Sequence, residues 1–533
     1  MVINEYLDKK STSVTKSKFV KFCQCPKALW LCVNKPECSM IDAGVQARFA
    51  EGSVVGDLAK QLFGDFVEVK YDTHYGKLYH ISMHKKTKAL MDEGHNVICE
   101  AAFIYDNNYC AVDILVRKDG GWAIYEVKST TSHVDKINPL DNEMKKKLKK
   151  YAVDIAFQKY VLEQCEVNVT GTYLVTLNSD YVRNGDIDIK QLFNIIDLKE
   201  LVDNEYLKTP ELVKKAHETI ESDEEIKCQM GTHCDDPYEC DFKKYCFGLG
   251  GLNLDENKTT VFDLYRFSSL KKYDYFNNNS YRFEDIKNEK LNDFQALQVD
   301  CTLNNKVHIN KEGIDEFLKS VRYPLYFLDF ESMKPAIPKY DGTRPYMQVC
   351  FQYSLHYIEH EGSELKHKAF LAPSDGSDPR RALAERLCED IPEDACIMAY
   401  NDPFEKTRIK EMANEYPDLA DKLMKIQDHI IDLLIPFSKG NYYVPAMGGS
   451  FSIKSVLPAL FPDDAELNYH NLNEMVQNGG DAMTIFPRIK DMSPKEAEKV
   501  RQALLDYCHL DTLAMVRVWE KLAAIISQQR PKR

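Results

Sequence analysis

The chain has 533 residues, 44% of them hydrophobic, and a formal net charge of −14. This length is too great for one hydrophobic core, so we expect roughly two to four domains. The negative charge argues against a general polyanion-coating protein, although metal-binding carboxylates would contribute to it. No apolar run approaches the ~20 residues of a membrane span, and we expect a cytoplasmic protein without a membrane partner.

The first region, up to about residue 255, contains a predicted β-hairpin at residues 109–129. If its two-residue turn is Asp-Gly at 119–120, Asp113 lies opposite Glu126, whereas a turn one residue later shifts the pairing by two. A period of two places Lys128 on the same face as Glu126. Opposed carboxylates repel, and a bound cation offsets that cost. The pattern therefore predicts a divalent-metal site suited to phosphodiester hydrolysis, the alternative being ordinary surface charges.

A helix is predicted at residues 144–163, and it begins with the basic run 145–150. Such a run is usually a solvated helix face, but beside a nuclease site it could instead contact phosphate. Residues 256–320 are polar and weakly helical in pattern, which predicts a small connecting module. From residue 321 onwards, strand and helix patterns alternate, which is typical of an α/β layer fold.

Sixteen cysteines in a chain expected to be cytoplasmic point to metal binding or buried thiols rather than disulfides. Four of them could form one centre, because thiolates hold either zinc or an iron–sulfur cluster. These are one cysteine near the start and three that recur with five residues between neighbours: Cys25, Cys234, Cys240 and Cys246. Cys23 and Cys228 compete with them as ligands, and the spacing does not decide between zinc and a cluster.

A second acidic site is predicted on the strand that begins near residue 323. Asp329 and Glu331 share one face of this strand, and Leu328 and Phe330 point to the other. Two acids on the inward face of an apolar strand are costly unless they bind metal or pair with cations.

Two later segments could complete this second site. Tyr507 and Asp511 are four residues apart and would stack on one helix face, although an ordinary amphipathic helix gives the same pattern. Between them and the strand, a short strand ending at Asn401 is followed by a helix that carries Glu405.

One cysteine before the hairpin and three after it, with D…E-x-K between, resembles the PD-(D/E)XK nucleases of the RecB type. The closest branch is the iron–sulfur one, which includes CRISPR-associated adaptation nucleases and the AddB nuclease domain. The resemblance covers roughly residues 15–250. It implies a [4Fe–4S] cluster on the four cysteines named above, acting as a structural staple. It also implies catalytic roles, with metal bound by the two hairpin acids, for Glu100, Asp113, Glu126, Lys128 and Gln158. Relatives often carry a His where this chain has Gly56-Asp57.

The second acidic set is similar to the DEDDy 3′–5′ exonucleases of the ribonuclease H-like fold. This resemblance implies that Asp329, Glu331 and Asp511 hold two divalent ions and that Tyr507 orients the attacking water. Glu405 stands where the family usually has Asp, and its extra methylene changes the reach of the carboxylate.

The full arrangement resembles a bacterial family in which an iron–sulfur RecB-type nuclease is fused to a ribonuclease H-like domain. The implied fold class is α/β, with a PD-(D/E)XK domain at 1–255, a helical connecting module at 256–320 and an exonuclease domain at 321–533. The implied function is Mg²⁺- or Mn²⁺-dependent hydrolysis of DNA by two active sites, on single-stranded ends or flaps, in DNA repair or anti-phage or CRISPR-type defence. RNA stays open as a substrate. The alternatives are a nucleic-acid-binding protein with one working site and an iron–sulfur protein without nuclease activity.

Overall fold

The computed structural model describes residues 12–40, 43–70, 73–74, 77–78, 80–133, 141–253 and 259–527. The chain divides into two compact units of mixed α/β structure. Unit 1 comprises Met1–Asn253 and Pro335–Tyr346, and unit 2 comprises Leu254–Lys334 and Met347–Arg533. The predicted boundary at residues 255–256 lies outside the described residues, and the described part of the predicted connecting module groups with unit 2. Among the described helices, none is long and apolar enough to cross a membrane.

The strands of unit 1 are β1 (Val14–Thr15), β2 (Val67–Glu68), β3 (Thr73–His74), β4 (Lys77–Leu78), β5 (Val97–Tyr105), β6 (Asn108–Lys118), β7 (Gly121–Ser132), β8 (Val169–Asn178) and β9 (Phe193–Asp197). Its α-helices are α1 (Lys16–Gln24), α2 (Pro26–Asn34), α3 (Ala43–Ala59), α4 (His80–Asp92), α5 (Asn142–Gln164), α6 (Ile189–Leu192), α7 (Lys199–Tyr206), α8 (Thr209–Glu221) and α9 (Lys243–Leu249).

The main sheet of unit 1 has the order β2-β5-β6-β7-β8-β9, and β1 pairs separately with the start of β6. β5, β6 and β7 form an antiparallel meander, and α5 then crosses over to β8, which lies parallel to β7. The apolar face of α5 covers this sheet, with residues such as Ile155 and Phe157 fully buried. Each large apolar side chain buried in this way contributes about 1.5–3 kcal/mol. The sheet and α5 therefore form a rigid support for the side chains of the hairpin.

The predicted hairpin register is confirmed. Lys118 pairs with Gly121, and the ladder continues to Ile114 opposite Tyr125. Asp119 and Gly120 form the turn with φ values of 52° and 78°. Positive φ at both central residues is what a type I′ hairpin turn needs, and Asp-Gly supplies it at low cost.

The strands of unit 2 are β10 (His308–Ile309), β11 (Leu325–Met333), β12 (Val349–Ile358), β13 (Lys366–Leu371), β14 (Cys396–Ala399), β15 (Ile430–Asp432) and β16 (Tyr442–Tyr443). Its α-helices are α10 (Ser269–Asn277), α11 (Phe283–Ile286), α12 (Asp293–Leu303), α13 (Lys311–Lys319), α14 (Arg380–Asp390), α15 (Pro403–Glu415), α16 (Ala420–Asp428), α17 (Ile435–Ser438), α18 (Ile453–Leu460), α19 (Gly479–Ile485) and α20 (Pro494–Ser527).

The main sheet of unit 2 has the order β13-β12-β11-β14-β15. β11, β12 and β13 are antiparallel neighbours, whereas β14 and β15 run parallel to β11. Phe327 packs in the same core cluster as residues of α20, and Leu328 and Phe330 pack in the cluster on the other side of the sheet. The predicted alternation along β11 is therefore confirmed, and Asp329 and Glu331 lie on the α20 side.

Candidate functional site

In unit 1, Asp113 and Glu126 come together at the end of the β6–β7 ladder. They are the residues next to Ile114 and Tyr125, the last pair of that ladder. Oδ2 of Asp113 accepts a hydrogen bond of 2.7 Å from the backbone N–H of Val127. The Glu126 side chain is only 1% exposed. The two carboxylates interact electrostatically, and this repulsion adds to burial in raising the pKa of Asp113. The hairpin register thus produces the acid pair that the sequence indicated.

Lys128 and Gln158 hold Glu126 in place, and Asp154 holds Lys128 in turn. Lys128 lies 2.8 Å from Oε1 of Glu126 and 2.7 Å from Oδ2 of Asp154. Gln158 is fully buried and donates from Nε2 to Oε2 of Glu126 over 2.7 Å. Asp154 and Gln158 lie four residues apart on α5, so the same helix face presents both to the site. Sequence reasoning found Lys128 and Gln158 but missed Asp154, for which only the i, i+4 spacing could have been a signal.

Lys16 was also missed, and its ammonium lies within salt-bridge distance of both acids. Its Nζ lies 2.8 Å and 3.0 Å from the two carboxylate oxygens of Glu126 and 3.9 Å from Oδ1 of Asp113. β1 pairs with the start of β6, and this pairing places the first residue of α1 beside the acids. Nothing in the local sequence around Lys16 marks this role, because the contact depends on pairing between distant segments.

The electrostatics of this site separate its two acids. Burial raises the pKa of Glu126, but Lys128 and Lys16 outweigh that effect and hold the pKa at about 2. Burial and the charge of Glu126 raise the pKa of Asp113 to about 7, against the opposing effect of the two lysines. The Glu126 carboxylate is therefore ionised at neutral pH, whereas Asp113 has a pKa close to neutral pH. Such perturbed pKa values are common at functional sites.

Glu100 sits at an irregularity in the sheet beside these acids. The ladder between β5 and β6 pairs Cys99 with Ile114 and Ala101 with Val112, and Glu100 between them has φ 55°. A non-glycine residue in this left-handed region is strained, and such strain concentrates at functional sites. Oε1 of Glu100 lies 3.7 Å from Nζ of Lys60.

Asp57, in the Gly56-Asp57 stretch where relatives often carry a histidine, also contacts this lysine. Oδ1 of Asp57 lies 2.9 Å from Nζ of Lys60, on the same helix-end segment, and Oε1 of Glu68 lies 2.6 Å from it. A single ammonium thus joins Asp57 and Glu68 to the Glu100 carboxylate.

The basic run at the start of α5 is largely engaged in surface ion pairs. Its lysines pair with glutamates as follows: Lys145 with Glu200, Lys147 with Glu143 and Lys149 with Glu205. Exposed pairs of this kind contribute little energy and remain available to exchange partners. This geometry favours the solvated helix face over a dedicated phosphate-binding patch.

The four predicted cysteine ligands line one pocket in unit 1, and Cys228 and His233 line it with them. Sγ of Cys25 lies 3.8 Å from Sγ of Cys228, which in turn is 3.9 Å from Nε2 of His233. Cys23 is exposed and is not among the residues that line the pocket. The structure therefore offers one donor set of thiols with an imidazole beside it, and its chemistry fits zinc or an iron–sulfur cluster.

Burial explains the protonation of these thiols. It raises the pKa of Cys25 and Cys234 to about 11 and that of Cys246 to about 12, and the neighbouring thiols add to the effect. Free cysteines at these positions are therefore neutral at physiological pH. A cation bound by the thiolates would reverse this preference, because metal binding displaces the thiol protons.

Unit 2 gathers acids from three elements around the β11 strand. Glu331 on β11, Glu405 at the start of α15 and Asp511 on α20 are all buried, with exposed fractions of 7%, 4% and 8%. Asp329 is half-buried and faces the same side of the sheet. Burial, followed by the charges of Asp511, Glu331 and Glu405, raises the pKa of Asp329 far above its ordinary value. The four carboxylates therefore belong to one electrostatic cluster.

The pKa values of the other acids move in the same direction. Burial and the charge of Asp511 raise the pKa of Glu331 to about 8. Burial, with Asp402 and Asp432, likewise raises the pKa of Glu405 to about 8. Oε2 of Glu405 is buried and has no hydrogen-bond partner among the described residues. Lys454 and Arg408 offset part of this effect, but the pKa values stay raised, and a set of buried acids of this kind is costly without a bound metal.

Three side chains near Asp511 complete this site. Tyr469 donates a hydrogen bond of 2.6 Å from its hydroxyl to Oδ1 of Asp511. The ammonium of Lys454 lies over the rings of Tyr469 and Tyr507, at 5.2 Å and 5.0 Å from their centroids. Sγ of Cys508 lies 3.6 Å from Oδ2 of Asp329. Sequence reasoning found Tyr507 but missed Tyr469, Lys454 and Cys508.

Comparison with known families reaches part of unit 2. Residues 326–452 match a family model described as "Domain of unknown function (DUF2779)". This segment includes Asp329, Glu331 and Glu405 but ends before Tyr469 and α20. No curated protein matches the chain.

Proposed function

We propose that this protein is a metal-dependent nuclease with two separate active sites, one in each unit. The observation that carries the proposal is that unit 1 brings two carboxylates together, and unit 2 four, around one sheet position, where they repel one another unless a cation is bound. Mg²⁺ or Mn²⁺ held by these carboxylates would activate water and stabilise negative charge on the phosphate. Oxygen ligands of this kind are those that both ions prefer.

The topology of unit 1 supports a PD-(D/E)XK site. The antiparallel meander of β5, β6 and β7, followed by α5 and a parallel β8, carries acids at its centre. In this reading Asp113 and Glu126 bind the metal and Glu100 supports them. Lys128 supplies an ammonium for the phosphate charge, and Gln158 orients Glu126 by its hydrogen bond. The cysteine pocket would hold a [4Fe–4S] cluster, or zinc, as a structural centre.

The topology of unit 2 supports a ribonuclease H-like exonuclease. The sheet order is β13-β12-β11-β14-β15, with β12 antiparallel to its neighbours. In this reading Asp329, Glu331 and Asp511 bind the metal ions and Glu405 takes the place of the usual Asp. The Tyr507 hydroxyl, whose interaction with Asp511 lowers the pKa of that carboxyl, orients the attacking water.

One observation favours a second candidate function for unit 1. The ammonium of Lys16 already neutralises Glu126 and lies near Asp113. A site that keeps this lysine in place would bind nucleic acid without cutting it. The chain would then be a nucleic-acid-binding protein that cleaves only in unit 2.

The experiment is incubation of the full chain with 5′- and 3′-end-labelled DNA and RNA, single- and double-stranded, with Mg²⁺ or Mn²⁺. Glu126→Gln and Asp329→Asn each remove one acid while conserving shape. Glu143→Gln and Asp506→Asn are the matched controls, because both acids are exposed and lie on α5 and α20. In each site variant, we expect the rate of formation of one set of cleavage products to fall at least about 10³-fold. The double variant should lose both sets, and the controls should keep both.

The outcomes separate the candidates. Loss of all cleavage in both single variants, with unchanged circular dichroism, would indicate one composite activity. Full cleavage by the Glu126→Gln protein, with loss in Asp329→Asn, would support the binding-only function of unit 1. Full cleavage by the double variant would exclude both sites.

A further inference from the structure

Three histidines of unit 2 form a cluster on the α20 side of the sheet. His356 on β12 is the cross-strand partner of His367 on β13, and His509 on α20 packs against both. The ring centroids lie 4.4–4.6 Å apart. One nitrogen from each ring lies within 4.8 Å of the other two. We call His356, His367 and His509 the histidine cluster.

Hydroxyl groups hold two of these rings. Nδ1 of His356 lies 2.8 Å from Oγ1 of Thr512, and Nε2 of His367 lies 2.9 Å from Oγ of Ser354. The two hydroxyls are themselves 2.7 Å apart. Each bond engages one nitrogen of its ring, and among the described residues neither ring has a second hydrogen bond. A metal-binding histidine usually has its second ring nitrogen fixed in this way.

Two of the rings are also in the protonation state that binds metal. Burial, with the charges of neighbouring histidines, lowers the pKa of His356 to about 3 and that of His367 to about 4. Both imidazoles are neutral at physiological pH, and neutral imidazole is the form that binds metal.

We propose that His356, His367 and His509 bind one divalent transition-metal ion, of which zinc fits best, through three imidazole nitrogens. Zinc–nitrogen bonds of about 2.0–2.1 Å place tetrahedral ligands about 3.3 Å apart, so the rings need to close by roughly 1.5 Å at most. His367 lies on the edge strand β13, where its ring packs against the other two histidines while the residue as a whole stays open to solvent, so the fourth position faces solvent.

This site differs in chemistry from the acid cluster of the same unit. Nitrogen donors select zinc, cobalt or nickel, whereas the carboxylates select magnesium or manganese. An ion in the histidine cluster would join β12 and β13 to α20. Since α20 also carries Tyr507 and Asp511, the ion would fix the helix that contributes to the acid site. The proposal does not depend on the nuclease function, because the ion can bind whether or not the acids cleave anything.

Cobalt binding to the full chain tests the proposal. The full-length protein is titrated with Co²⁺, and the bound equivalents and the cobalt absorption are recorded for wild type and for His367→Gln. His360→Gln is the matched control, because His360 is an exposed histidine on the loop between the same two strands. We expect His367→Gln to lose one equivalent of bound Co²⁺ and His360→Gln to keep it. The part of the cobalt spectrum that disappears in His367→Gln should lack the charge-transfer absorption of thiolate ligands. This distinguishes the histidine cluster from the cysteine pocket.

A thermal readout with Zn²⁺ completes the test. Zn²⁺ should raise the unfolding temperature of wild type and His360→Gln more than that of His367→Gln. His509→Gln is a second variant on a different element, and it should reproduce the loss. Equal Co²⁺ stoichiometry in wild type and in both cluster variants would overturn the proposal. The proposal would also be overturned if the cobalt absorption that the variants lose includes thiolate charge-transfer bands.

Discussion

The ammonium of Lys16 lies 2.8 Å from Oε1 of Glu126, although 110 residues separate the two in sequence. Burial lowers the pKa of Lys16, but the carboxylates of Glu126 and Asp113 outweigh it and raise the pKa well above its ordinary value. Lys16 therefore stays charged and acts as a counter-ion for the acid pair. Under the proposed function, a metal ion competes with this ammonium for the same carboxylate oxygens.

Replacing Lys16 with methionine should tighten Mn²⁺ binding in unit 1. The change removes the competing cation and keeps the length of the side chain, so we expect the affinity to rise on the order of tenfold, or ~1.4 kcal/mol. The Mn²⁺ affinity is measured by calorimetric titration of proteins that also carry Asp329→Asn, which removes a metal ligand of the unit 2 site. Lys18→Met is the control, because Lys18 bonds to the backbone carbonyl of Ser13 on the same helix end. Weaker binding in Lys16→Met would show that Lys16 supports the metal.

The cysteine pocket predicts different results for two neighbouring cysteines. Cys25→Ser should lose most of the bound iron and visible absorption, because Cys25 lines the pocket. Cys23→Ser should keep both, because Cys23 is exposed and is not among the residues lining the pocket. Iron analysis of the two purified variants beside wild type is the measurement. Stoichiometric zinc without iron in wild type would contradict the cluster but not the structural role of the pocket.

Sequence reasoning was strongest where the structure is local. The Asp-Gly turn sets the hairpin register, and alternation along β11 sets the faces of Asp329 and Glu331, so both could be predicted from neighbouring residues. Lys16 could not be found in this way, because its position depends on the pairing of β1 with β6.

The same limit applies to the second site. Tyr469 reaches Asp511 across 42 residues, from a segment whose sequence has no strong periodicity. Lys454 lies at the start of α18, and nothing in the residues around it marks a role in this site. The carboxylates could be recognised by residue type and order, whereas the groups that orient them depend on how separate segments pack.

Tyr469 should position Asp511 for metal binding. In Tyr469→Phe the carboxylate loses a hydrogen bond of 2.6 Å. Loss of such a supporting bond typically costs 10–100-fold in metal affinity or activity, so we expect 3′–5′ trimming and Mn²⁺ affinity to fall by about that factor. Tyr442→Phe, a buried tyrosine on β16, is the control. Trimming that falls while Mn²⁺ affinity stays unchanged would show that Tyr469 acts on the substrate instead of on the metal ligand.

Glu405→Gln should have opposite effects on stability and on metal binding. Burial raises the pKa of the wild-type carboxyl to about 8, above its ordinary value of 4.5. The folded state therefore holds a proton that the unfolded chain releases, and metal-free stability falls as pH rises between these two values. Glutamine keeps the shape without the charge, so the metal-free variant should unfold about 5 °C higher than wild type above about pH 8.

Added Mn²⁺ should reverse that order, because wild type gains a carboxylate ligand that the variant lacks. Calorimetric scans at about pH 5 and about pH 9, with and without Mn²⁺, measure both effects, and the two proteins should differ least at the lower pH. Glu498→Gln, an exposed acid on α20, is the control and should match wild type in every scan. If Glu405→Gln instead unfolds at a lower temperature without metal at the higher pH, the Glu405 carboxylate is stabilised by its surroundings. Glu405 would then have a structural role. It would not be a metal ligand whose burial destabilises the metal-free protein.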